Sequence, residues 1–93
     1  MTAKQWQLLE ALEKYDGEGT MEVLMTMEYE PKTNSDADVA KAWNMTKFVV
    51  SGMVATLVRK GLAVDDANGW GISDRGRELL AKRAARKAAR VSS

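Results

Sequence analysis

The stretch 36-DADVAKAWNMTKFVVSGMVATLVRKGLAVDDANGWGISDRGRELL-80 decides how this chain is read. Val39, Ala40, Trp43, Met45, Val50 and Met53 fall where two helices joined by a three-residue turn would meet. Ala40 is small where the second helix would cross close above the first. Asn44 stands where such a turn favours a left-handed residue, a conformation that Asn tolerates second only to Gly. Ser35 is placed to cap the first of the two helices, and Asp36 and Asp38 then sit in its positive opening turn. Thr46 is placed to cap the second, which runs through Val54 and Leu57 to Lys60 and stops at Gly61.

Downstream, Leu62, Ala63 and Val64 form a short apolar run followed by Asp65-Asp66-Ala67-Asn68-Gly69, and an Asn-Gly pair is a strong hairpin-turn signal. Trp70, Gly71 and Ile72 return as the second strand, with Trp70 read as a packing residue of the hairpin. Ser73 or Asp74 caps a last helix in which Leu79 and Leu80 are core candidates, and its remainder, AKRAARKAARVSS, is Ala-rich and basic. Upstream, Thr2 and Gln5 have capping-box spacing, so a helix starts near Ala3. Trp6, Leu8, Leu9, Leu12 and Tyr15 stripe it, and Asp16, Gly17 and Gly19 end it. Thr20 to Glu30 alternates like a strand yet is built of helix formers; it is read as a short helix closed by Pro31. Met21, Met25, Met27, Met45 and Met53 read as adaptable core filler.

At 93 residues and 45% hydrophobic, the chain has room for a single domain spanning 1–93. Cys and His are both absent, which removes disulfides, the common zinc and haem ligand sets, and the Ser-His and Cys-His nucleophile arrangements. Asp65 and Asp66 are adjacent and cannot flank a substrate as paired carboxylates do. Gly17 and Gly19 lack the strand and the Lys of a phosphate loop. An enzyme is therefore not expected, nor is a cofactor or a metal. The N-terminal run is too charged for a signal peptide or a membrane span, so the expected location is the cytoplasm.

The net charge of +1 conceals an asymmetry. Residues 1–40 hold nine acids against three lysines, a balance of −6; residues 41–93 hold eleven Lys and Arg against four acids, a balance of +7. A chain so polarised suits an anionic partner on one side only.

Helix, helix, turn, helix, hairpin, helix is the element order of a winged helix-turn-helix domain, a mainly α fold with a small β-hairpin wing (α+β). The run VVSGMVATLVRKGLAVDDANGWGISDRGRELL resembles the MarR-like transcriptional regulators of bacteria and phages. The features that carry the likeness are the charged pair Arg59-Lys60 before Gly61-Leu62, then the hairpin, then Ser73, Gly76 and Arg77. It covers residues 36–80. The resemblance implies a sequence-specific regulator whose partner is double-stranded DNA, with 36–60 as the helix-turn-helix, 62–72 as the wing and 74–90 as a basic C-terminal helix. It also implies a homodimer through helices 3–15 and 74–90, each subunit setting helix 46–60 into a major groove.

On that reading the DNA-binding residues are Thr46, Lys47, Phe48, Ser51, Gly52, Ala55, Arg59, Arg75 and Arg77. Lys47 would meet a phosphate or a guanine edge, Thr46 and Ser51 phosphates or bases, and Phe48 a thymine methyl. Arg83, Arg86, Lys87 and Arg90 share a helix face and are candidate backbone contacts; alternatively they form a solvated terminal helix or meet Glu10 and Glu13 across a dimer. Two features favour a different class, a winged-helix module that binds protein, such as an antirepressor or a polymerase-binding adaptor. One is the face of Phe48, Gly52 and Ala55, which lacks Arg, Asn or Gln. The other is the acidic wing tip, which phosphate would repel.

Overall fold

The computed structural model describes residues 1–17, 19–66 and 69–92, with side chains up to Ala89 in the last helix. Among these residues the chain forms four helices and one two-stranded antiparallel sheet, an α+β arrangement dominated by helix. Helix α1 is Ala3–Lys14. Its start is the expected capping box: the Thr2 hydroxyl accepts from the Gln5 amide at 3.2 Å and the Thr2 amide donates to Gln5 Oε1 at 2.9 Å. Leu8, Leu9 and Leu12 are fully buried and form the centre of the core. Gly17, with φ 79°, turns the chain beyond the helix, and its amide donates to the Trp70 carbonyl at 3.0 Å.

The ambiguous segment is helical, but shorter than expected: α2 is Thr20–Thr26, and the chain leaves the helix at Met27, well before Pro31. Val23, Leu24 and Met27 face the core. Met21 and Met25 do not; they are exposed on the other side of α2, so core filler is the wrong reading for both.

The main departure lies in the stretch that decides the fold. Residues Asp36–Arg59 form α3, one uninterrupted helix of 24 residues, about 36 Å long at the usual rise. No turn interrupts it at Asn44, and no non-glycine residue among those described has a positive φ. The reason is visible in the spacing of the buried side. Trp43, Thr46, Val50, Met53, Val54 and Leu57 recur every three or four residues with no phase shift, so a single helix keeps all of them against α1 and the hairpin. A turn after Asn44 would rotate one half of that stripe away from the core. Asn tolerates a left-handed turn but does not require one. Ser35 caps α3 as expected, accepting from the Asp38 amide at 3.2 Å. Val39, Ala40 and Met45, expected at a helix crossing, are exposed instead.

Helix α3 ends as its sequence indicates. Gly61 has φ 75°, its amide donates to the Val58 carbonyl at 3.0 Å, and the Leu62 amide donates to the Leu57 carbonyl at 2.9 Å. Strands β1 (Ala63–Asp66) and β2 (Gly69–Ile72) follow, in a register that pairs Ala63 with Ile72 and Asp66 with Gly69. Asn68, half of the expected Asn-Gly turn, lies outside the described residues. Ala63 and Ile72 close the core from this side, and Trp70 packs partly buried against it.

Helix α4 is Asp74–Ser92. The Ser73 hydroxyl accepts from the Gly76 amide at 3.0 Å and donates to the Gly61 carbonyl at 2.6 Å, so one side chain caps α4 and ties it to the end of α3. At Gly76 the helix passes so close to the hairpin that a Cβ would meet the Leu62 carbonyl oxygen and come within 2.7 Å of Ile72 Cγ1. Leu80 is buried and Leu79 partly so; the rest of α4 continues outward as a polar helix. No helix among the described residues is long and apolar enough to cross a membrane.

Candidate nucleic-acid interface

Because α3 does not break, its outward side is a single surface. Lys41, Asn44, Met45, Phe48, Ser51, Gly52, Ala55 and Arg59 repeat at spacings of three and four and are all exposed. Phe48 stands at the middle, 82% exposed. Lys47 flanks it, and Lys47, Val49, Gly52, Met53 and Thr56 line an open groove beside the ring. A Cβ placed on Gly52 would meet nothing within 4 Å beyond the adjoining backbone of its own helix, and the residue is exposed to solvent.

Charge divides along the helix. The two carboxylates, Asp36 and Asp38, lie in the first turn, where they complement the helix dipole and where Thr33 Oγ1 donates to Asp38 Oδ2 at 2.6 Å. From residue 39 to residue 60 the charged residues are Lys41, Lys47, Arg59 and Lys60, with no acid among them. At the far end, Lys60, Arg75 and Lys82 line one cleft together with Met1, Leu62, Glu78 and Leu79. The helix cap at Ser73 therefore brings the opening turns of α4 next to the basic end of α3.

The residues singled out by sequence divide into three groups. Lys47, Phe48, Ser51, Gly52 and Ala55 lie together on the exposed side of α3, and Arg59 joins them at its end, donating to Thr56 Oγ1 at 3.2 Å. Arg75, Arg86 and Lys87 are exposed along α4.

The third group serves the fold. Thr46 is 0% exposed; its hydroxyl donates to the Ala42 carbonyl at 2.8 Å and accepts from the Tyr29 amide at 3.0 Å. It is neither a helix cap nor an exposed contact, because without a turn it occupies the core side of α3. Arg77 is paired with the Asp16 carboxylate, which also accepts from the Ile72 amide at 3.1 Å through its other oxygen. Arg83 donates to Glu10 Oε1 at 2.9 Å and lies over the Trp6 ring, 4.6 Å from its centroid. The contact between the basic tail and acidic first helix thus forms within one chain. Arg90 has its side chain outside the described residues.

Four residues on this surface were not among the sequence candidates: Lys41, Asn44, Met45 and Lys60. The unbroken three-four spacing from Trp43 to Leu57 is the signal that reveals them, since it places Lys41 and Asn44 on the same side as Phe48. No protein-family model, curated protein sequence or solved structure matches this chain.

Proposed function

We propose that this chain is a DNA-binding transcriptional regulator of winged-helix type, docking α3 in the major groove of a duplex. Three helices, a hairpin and a fourth helix are the element order of that fold, with α2 and α3 joined by residues 27–35 and no turn at Asn44, where the sequence suggested one. The observation that carries the reading is the exposed side of α3, where the segment 39–60 bears four cations, no carboxylate and an exposed Gly52. A helix of this width fits the major groove, and clustered Lys and Arg neutralise phosphates and release counterions. Arg75, Arg86 and Lys87 on α4 extend the grip along the backbone. Asp65 and Asp66 are exposed on the hairpin, which keeps the wing off the phosphates. A homodimer would place two α3 helices about one duplex turn apart. The apolar stripe of α1 is already used in the chain's own core, so such a dimer would form through the exposed part of α4. The deciding measurement is fluorescence anisotropy of a labelled duplex across a salt series. Affinity should fall steeply and linearly on a log-log plot; no binding at low salt would refute the proposal.

A second reading rests on Phe48 itself. An aromatic ring 82% exposed beside exposed Met45 also suits a protein partner of antirepressor or polymerase-adaptor type. In that case a partner should protect the amides of 46–56 from hydrogen exchange while Lys47→Ala changes binding little.

A further inference from the structure

The outward side of α3 carries three successive residues that the helix has no reason of its own to choose. Asn44, Phe48 and Gly52 lie one above another at steps of four. Asn and Gly are poor helix formers in an interior position, and Phe gains nothing from a ring left in water. None has a compensating contact among the described residues. Asn44 is exposed and its side chain forms no hydrogen bond with the described residues. Phe48 is 82% exposed, and a side chain at position 52 would meet nothing within 4 Å. At the helix ends local preference and fold agree closely, as in the capping box of α1, the Ser35 cap and the Gly61 terminus. A row of locally unfavourable residues on one exposed face marks a surface shaped by what it touches.

We infer that Asn44 is the base-reading residue of this face, pairing its carboxamide with the Hoogsteen edge of an adenine while Phe48 packs on a nearby thymine methyl. This rests on the DNA-binding reading above. A carboxamide offers one donor and one acceptor side by side, which matches the adenine N6 amino group and N7 and no other major-groove edge as well. Gly52 and Ala55, about two and three turns beyond Asn44, add no bulk that would hold the helix out of the groove. Lys41 and Lys47 on either side supply the anchoring charge. Four residues of helix rise about 6 Å, close to two base-pair steps. The recognised site should therefore contain an adenine and a thymine within about two base pairs of each other.

The test is selection from a random duplex pool by the wild-type chain and by Asn44→Ala, followed by affinity measurements on the winning duplex. The wild type should enrich a sequence with one adenine that Asn44→Ala no longer prefers. Replacing each adenine of the wild-type-enriched sequence in turn with 7-deazaadenine should weaken wild-type binding roughly tenfold at one position, and an effect at no position overturns the role of Asn44. The 7-deazaadenine arm uses the wild-type protein, so it holds whether or not the variant folds. The same enriched sequence for both proteins, or duplex binding by the wild type without enrichment, overturns the role of Asn44 and leaves DNA binding standing. No duplex binding at low salt overturns both.

Discussion

The backbone amide of Tyr29 donates to the hydroxyl of Thr46 at 3.0 Å, fastening the segment after α2 to the middle of α3. The bond is fully out of water on the Thr46 side and the same hydroxyl donates back to the Ala42 carbonyl at 2.8 Å. Thr46→Val keeps the shape and leaves the amide without its acceptor. The variant should lose about 1–3 kcal/mol of stability, read as a lower denaturation midpoint at unchanged m-value. Loss of duplex affinity without loss of stability would instead restore Thr46 to the interface.

Asp16 holds two groups at once, the Arg77 guanidinium and the Ile72 amide, and so joins the end of α1 to both β2 and α4. The ion pair is partly exposed, and such pairs contribute about 0–1 kcal/mol. Asp16→Ala should therefore destabilise more than Arg77→Ala, by roughly the further 1 kcal/mol of the lost amide bond. Thermal melts of the two variants at equal protein concentration decide the order. Duplex affinity of Arg77→Ala should stay near wild type, because the side chain is occupied within the fold.

Two glycines in helices should respond to the same substitution with opposite sign. Gly76→Ala pushes a methyl into the Leu62 carbonyl and Ile72 side chain, and a backbone oxygen cannot move aside cheaply, so a loss of about 1–3 kcal/mol is expected. Gly52→Ala enters open space in the middle of α3 and should gain about 0.5–1 kcal/mol from helix propensity. If the helix backbone approaches base edges at position 52, the same Gly52→Ala should bind duplex less tightly while melting higher. Denaturation and anisotropy on one preparation separate the two effects.

Charge removal along the proposed interface should appear in the salt slope more than in stability. Lys47→Ala, Arg75→Ala and Lys87→Ala each remove an exposed cation, and each lost phosphate contact should flatten the log-log salt dependence by about 1. Arg83→Ala should act differently, because Arg83 binds Glu10 and covers Trp6. It should lower the melting temperature with little change in slope. A slope unchanged in all three exposed variants would remove α3 and α4 as the phosphate-binding surface.

Much of this protein was legible from its residues alone, for a common physical reason. Caps, helix ends and hairpins are local: Thr2 with Gln5, Ser35 with Asp38, Gly61 after Lys60, and the apolar runs either side of Asp65-Asp66 act over a few residues, so their meaning survives without the fold. The mainly helical, hairpin-bearing class followed from them. What only the tertiary structure decided was which way each side chain faces. Whether 36–59 is two helices or one depends on keeping Trp43 and Thr46 in phase with Val50 and Leu57 against α1, a gain that outweighs Asn44's local taste for a turn. That single choice moved Thr46 into the core and Asn44 onto the surface. Likewise, the basic residues of α4 look alike in sequence, and only the packing of α4 on α1 and the hairpin assigned Arg77 to Asp16 and Arg83 to Glu10, leaving Arg75, Arg86 and Lys87 exposed to solvent.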